Sequence, residues 1–181
     1  WREWMAIPSY ALAAACAGEI FYDGSGDMTR MRETLRTGMP EDVRRKKIAG
    51  HAALMAQSGQ YNVSRCRRHG EEAAARLACC EFVNHTLAML FLLNARHMPF
   101  YKWAFRAAGE LPKLAEAVPM LEALLREPDE DTIERVSAAV IEELRAQDLT
   151  DGGWDFLEPH AYAVMRRIKN PEIAALHIME V

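Results

Sequence analysis

No CxxC, HxxxH or HExxH spacing occurs among the four cysteines and six histidines of this 181-residue chain. Those spacings place two ligands on one turn or one helix face, so the sequence offers no metal site of that kind. Cys16, Cys66, Cys79 and Cys80 form no framework, and the adjacent pair Cys79-Cys80 lies in an apolar stretch. They read as reduced core thiols of a cytoplasmic protein rather than disulfide partners. No uninterrupted apolar run reaches the roughly 18–20 residues that span a bilayer, and Leu87–Leu93 has polar flanks, so no membrane partner is expected. A signal peptide is lacking, and so is an initiator methionine. The start at Trp1 reads as a cut, leaving a piece of a longer protein. The net charge of −4 gives no excess of positive charge for bulk nucleic-acid binding. Sustained period-two alternation is missing too, which leaves no expectation of a sheet.

What is present is helical. Half of the residues are hydrophobic and 27% are charged, ordinary proportions for a globular domain of this length. The spacing predicts an all-α bundle in a single domain, built around one long buried helix. That helix belongs to the stretch Tyr61–Trp103, which opens basic, becomes alanine-rich, turns wholly apolar through Leu93 and closes on Asn94-Ala95-Arg96-His97-Met98-Pro99-Phe100-Tyr101-Lys102-Trp103. An apolar circumference marks a central helix. If it begins early, Arg65, His69, Glu72 and Arg76 share one face, with Glu72 and Arg76 spaced as an ion pair. Before it, Pro40-Glu41-Asp42 opens a helix running to about Ser58-Gly59, with acids in the first turn where the dipole favours them. After it, further helices are expected over 111–125, from Asp129 to about Gln147, and over 158–169.

Each polar cluster admits two readings. Lys102 between Tyr101 and Trp103 suits an anionic ligand with a ring to stack on. By residue type alone the preferred reading is an amphipathic helix start in which Trp103 packs and Lys102 snorkels. Arg65, Arg67, Arg68 and His69 match phosphate oxygens, or form a solvated helix entrance paired with Glu71 and Glu72. Glu71 can act as a general base or complement a helix dipole. Asn94, Arg96 and His97 can contact ligand or cap the central helix. Arg45 and His51 fit the loose Arg-x(4–6)-His spacing of HEPN-type ribonucleases, a pattern that arises readily by chance in basic chains.

Leu93-Asn94-x-Arg96-x-x-Pro99-Phe100-Tyr101-Lys102-Trp103 with Arg106 resembles the signature of an uncharacterised helical domain family found C-terminal to minimal nucleotidyltransferase domains. Gln60-Tyr61-Asn62 and Gly70-Glu71 resemble its preceding motif. Weaker matches run outward through Gly18-Glu19-Ile20-Phe21-x-Asp23, Pro40-Glu41-Asp42-Val43 and Phe156-Leu157-Glu158. The resemblance implies a bundle similar to the C-terminal domains of kanamycin nucleotidyltransferase and streptomycin adenylyltransferase. It further implies a nucleoside triphosphate and magnesium for the full-length protein, an N-terminal nucleotidyltransferase domain as partner, and an unknown acceptor. Carried over residue by residue, Lys102 meets phosphates, Tyr101 and Trp103 shape the pocket wall, and Asn94 and Arg96 contact or support ligand. Arg65 joins them, and Glu71 faces the acceptor as the candidate catalytic group. The chain departs from the full enzymes in having no Gly-Ser followed at motif spacing by Asp-x-Asp, so by itself it is expected to be inactive. Competing expectations are a non-catalytic helical interaction module, self-associating as a homodimer, and a HEPN-type ribonuclease.

Overall fold

The computed structural model describes residues 1–181 and contains α-helices, one π-helical stretch, one 3-10 turn and no strand. In chain order the α-helices are α1 (Arg2–Ala6), α2 (Ser9–Cys16), α3 (Asp27–Thr37), α4 (Glu41–Met55), α5 (Ser64–Arg68), α6 (Glu72–Leu93), α7 (Tyr101–Ala108), α8 (Val118–Arg126), α9 (Glu130–Ala146), α10 (Leu157–Met165) and α11 (Pro171–Ala174). The architecture is all-α, as the sequence predicts.

α6 is the axis. Its alanines and leucines are strong helix formers, and its last five residues, Met89–Leu93, are buried on every side. Its N-terminal half keeps one exposed stripe, Glu72, Arg76, Leu77, Cys80, Glu81 and Asn84. Cys80 therefore faces out while Cys79 is buried, so only one of the adjacent thiols belongs to the core. α6 is long and apolar enough to cross a membrane, but 61% of its most apolar window is covered by the rest of the bundle. α4 packs against α6 and α10, and the π-helical stretch Ala56–Val63 continues α4 across the middle of α6.

The central helix does not start early. His69 leaves the helical region and Gly70 takes φ +73°, which a residue without a Cβ adopts freely. α5 and α6 are consequently separate, so the four residues Arg65, His69, Glu72 and Arg76 do not share one helical face; only Glu72 and Arg76 lie together, on α6. Arg76 instead donates to the carbonyl of Arg126 at 3.4 Å, and Glu72 lies 3.9 Å from Arg67. The helix expected over 111–125 is shorter, preceded by the 3-10 turn Ala115–Ala117.

The motif residue Gln60 has a structural task. Its side chain accepts from the amide of Leu157 at 2.9 Å, opening α10, and donates to Glu134 at 2.7 Å. Nearby, the fully buried His160 bridges Thr150 Oγ1 at 2.9 Å and the Trp154 carbonyl at 2.8 Å, fixing the Gly152-Gly153 turn.

Candidate functional site

The C-terminal end of α6 builds the most distinctive local geometry in the molecule. Ala95 sits at φ +51°, the amide of Ala95 donates to Leu92 O, and the amide of Arg96 donates to Phe91 O at 2.9 Å. This pair of bonds is a Schellman cap, which normally places glycine at the left-handed position. An alanine there costs about 1 kcal/mol or somewhat more. Ala95→Gly is thus expected to stabilise the protein by about 1 kcal/mol, read as a higher urea midpoint at unchanged slope.

The remaining α6 carbonyls are also taken. Arg44 donates to Leu92 O at 3.2 Å, and Gln147 donates to Leu93 O at 2.7 Å. The Asn94 side chain donates to Leu90 O at 2.8 Å and Lys113 O at 3.0 Å, and accepts from the Lys113 amide at 3.1 Å. Its amide group is fully engaged in clamping the 110–114 loop to α6. The expected ligand contact at Asn94 is therefore a fold-maintaining clamp.

The segment after the cap staples the N-terminal helices onto the bundle. His97 Nε2 donates to Leu35 O at 2.6 Å, the Met98 amide donates to Ser9 Oγ at 2.7 Å, and the His97 ring stacks on Trp4 with centroids 6.0 Å apart. With Nε2 carrying the proton, His97 Nδ1 is a buried acceptor without a donor.

Arg96 is different from its neighbours. It is exposed, makes no side-chain hydrogen bond and no ion pair. Three adjoining hollows meet at Arg96 and His97. One, of about 550 Å³, lies toward Cys16, Arg36, Asn94 and Glu110. Another, about 330 Å³, lies toward Arg36, Glu41 and Arg44. The third, about 350 Å³, runs under α1 and α2 to Lys47 and His51. Arg36 donates to Cys16 O at 2.9 Å, and Arg44 pairs with Glu41 at 2.8 Å. The positive charges of this region without a carboxylate partner are accordingly on Arg36, Arg96 and Lys47, and of these Arg96 and Lys47 also make no hydrogen bond.

Lys47 is 9% exposed and has neither a hydrogen bond nor an ion pair. Burial holds its amine below the ordinary lysine range. Lys46 beside it is fully buried, yet its Nζ donates to Ile178 O and Glu180 O of the C-terminal segment. One turn on, His51 Nδ1 lies 3.2 Å from His85 Nδ1. Burial, reinforced by His85 and the two lysines, pushes the His51 pKa down to about 3, so this imidazole is neutral at physiological pH. Lys47→Met keeps the apolar stem and removes a charge that no protein group offsets. It is expected to stabilise the ligand-free protein by about 1–2 kcal/mol at pH 7. Because the folded pKa of Lys47 is depressed, the penalty is full at low pH and falls as pH rises through the folded pKa toward the unfolded value. The gap between wild type and variant in thermal unfolding should hence narrow from pH 7 to pH 10.

The other expected site residues lie elsewhere. Tyr101, Lys102 and Trp103 form the exposed first turn of α7. Tyr101 packs on Phe100 with centroids 4.5 Å apart, Phe100 meets Tyr10 edge-on at 5.6 Å, and Arg106 lies over Trp103 at 5.5 Å. Lys102 has no protein partner and lines none of the three hollows. Trp103 is 55% exposed, so the expected packing role belongs to Ala104 and Ala108 of the same helix instead. Glu71 and Arg65 sit at the opposite end of α6. Glu71 is its exposed N-cap without a side-chain capping bond, and Arg65 donates to Tyr61 Oη at 2.6 Å. A helix of 22 residues rises about 33 Å. A small ligand at Arg96 cannot also reach Glu71, so these residues do not form one pocket.

Arg45 and His51 do not converge either, because Arg45 is held by Asp42 and the Arg167 carbonyl. No three His, Cys, Asp or Glu side chains gather where they could share a cation. Lys47 is not among the residues expected at the site: it belongs to the basic run Arg44-Arg45-Lys46-Lys47, a composition typical of a solvated helix face, and its i,i+4 spacing to His51 is the one signal the sequence offers.

Comparison with curated proteins gives no match, and comparison with solved structures gives none. A family model does match, over residues 4–104, which spans α1 through the first half of α7 and includes Lys47, His51, Glu71, Arg96 and Lys102. The chain belongs to the DUF4037 family, a domain of unknown function.

Proposed function

We propose that this chain is the helical C-terminal domain of a nucleotidyltransferase-like protein, supplying contacts to a nucleotide and its acceptor. The observation that carries the reading is Arg96. It is an unpaired guanidinium, aimed by a strained helix cap, where three hollows meet. A planar fork of donors held in this way matches phosphate oxygens. The exposed aromatics Phe100, Tyr101 and Trp103 and the free amine of Lys102 follow Arg96 in the chain, though none of them lines the three hollows. The signature Leu93-Asn94-x-Arg96-x-x-Pro99-Phe100-Tyr101-Lys102-Trp103 supports the same reading by its resemblance to domains that follow minimal nucleotidyltransferases.

The residues present do not fit magnesium. Of the carboxylates bordering the hollows, Glu41 is paired with Arg44, and no acidic trio converges. Metal-assisted transfer therefore belongs to the partner domain in this proposal, and the helical chain contributes binding and orientation. A cytoplasmic location follows from that partnership.

The test uses the full-length protein with magnesium and ATP. Arg96→Ala should weaken ATP binding at least tenfold by calorimetry while shifting the melting temperature by less than about 2 °C, since the side chain holds nothing in the fold. Lys102→Ala should weaken binding by less. Unchanged affinity in Arg96→Ala overturns the reading. The second reading, a non-catalytic interaction module, is favoured by one observation. Phe21 and Tyr22 are 94% and 87% exposed, and Met28 and Met31 on α3 join them. Loss of self-association in Phe21→Ser, measured by sedimentation, would favour that module over the transferase.

A further inference from the structure

The geometry points to a second ligand site, the cavity under α1 and α2, for a small acid that carries an apolar body and one carboxylate or phosphate head. This goes beyond the nucleotide reading and does not depend on it. The floor of the cavity is α4, which presents Lys47 and, one turn later, His51. Its remaining wall is mostly apolar, including Ile7, Leu12, Met39 and Phe91. A volume of about 350 Å³ is at the small end of ligand pockets, which are largely apolar with a few placed polar groups.

Three observations select an anion rather than a neutral or cationic guest. First, Lys47 is nine-tenths buried, lines the cavity and makes no ion pair; no Asp or Glu side chain lines the same space, and the last residue of the sequence, Val181, borders it. A buried ammonium without a partner is unfavourable, and an anionic head resolves that. Second, Arg96 also lines the cavity, and its guanidinium has no protein partner. Third, His51 is neutral, and its Nε2 has no protein partner. When His85 donates its Nδ1 proton to His51 Nδ1, His51 Nε2 carries a hydrogen and becomes a donor to the head group. The apolar lining then takes the body.

The inference is tested by calorimetry on the protein with four probes: hexanoate, hexyl phosphate, 1-hexanol and inorganic phosphate. One of the two hexyl acids should bind, and which one binds identifies the head group. The binder should exceed 1-hexanol and inorganic phosphate at least tenfold in affinity, because it alone satisfies both head and body. Lys47→Met should reduce the affinity of that acid at least tenfold and leave 1-hexanol unchanged. Methionine at this place removes a buried charge, so the variant is expected to fold; Arg96→Gln, on an exposed side chain, provides the second variant and should weaken the acid severalfold. Binding of 1-hexanol equal to that of the acids, undiminished acid binding in both variants, or no heat from either acid at 5 mM overturns the proposal. ATP affinity in Lys47→Met separates this site from the nucleotide reading, since it should stay within twofold of wild type.

Discussion

Gly59→Ala is expected to destabilise the protein by about 3 kcal/mol, despite the helix propensity that alanine adds. Gly59 lies in the π-helical stretch where it crosses α6. A Cβ at this position comes 2.3 Å from Phe82 Cδ2, 2.8 Å from Cγ and 2.9 Å from Cε2. Real carbon contacts do not approach so closely, so either the ring or the π-helical backbone must move. Phe82 is fully buried in the main core of the bundle, where close packing leaves the ring little room to move aside. The glycine and the ring are one packing unit. Phe82→Ala removes all three atoms that collide and costs about 3–5 kcal/mol by itself. The double variant should therefore be more stable than the sum of the single losses by at least 1 kcal/mol, a coupling that urea titrations of the four proteins resolve. A Gly59→Ala protein within 0.5 kcal/mol of wild type would show that the crossing is looser than the structure has it.

That crossing also shows where the sequence was readable and where it was not. The all-α class and the buried central helix were legible because apolar residues surround α6 through its last third, and no stretch alternates with period two. The π-helical stretch was not, since nothing local to Ala56–Val63 separates it from an ordinary continuation of α4, and the ring it packs against at Gly59, Phe82, lies some twenty residues away in sequence. The break at His69-Gly70 left a local sign in the glycine, but the apolar and polar periodicity carried the reading through it. Among the site residues, Arg96 was legible by type and by its place after the helix. Lys47 was not, because burial of one lysine in Arg44-Arg45-Lys46-Lys47 depends on α1, α2 and the C-terminal segment folding over α4. The distance from Glu71 to Arg96 followed from the helix length itself, once the polar groups at its two ends were assigned to two places rather than one.

Asn94→Ala is the second large effect, a loss of about 2–3 kcal/mol with ligand affinity preserved in the folded fraction. Asn94 makes three hydrogen bonds that no neighbour can replace: two from its Nδ2 to Leu90 O and Lys113 O, and one to its Oδ1 from the Lys113 amide. Each is worth about 1 kcal/mol net, and the Lys113 amide loses its acceptor when the side chain is cut back. The loop carrying Lys113 then loosens, and with it the pair of Lys113 and Glu143 at 2.5 Å that helps orient Gln147 against Leu93 O. Asn94→Asp should be at least as damaging, because a carboxylate cannot donate to the two carbonyls and places negative charge at the negative end of α6. Arg96 behaves in the opposite way: its truncation leaves every cap bond in place and removes only the unpaired guanidinium. Two residues of one signature, separated by a single strained alanine, are thus expected to divide between fold and the proposed ligand contact. Thermal unfolding and ATP calorimetry on the pair, with the Asn94→Ala protein studied at 10 °C where it remains folded, read that division directly. Equal stability of Asn94→Ala and wild type, with affinity lost, would reverse the assignment and make Asn94 the ligand contact.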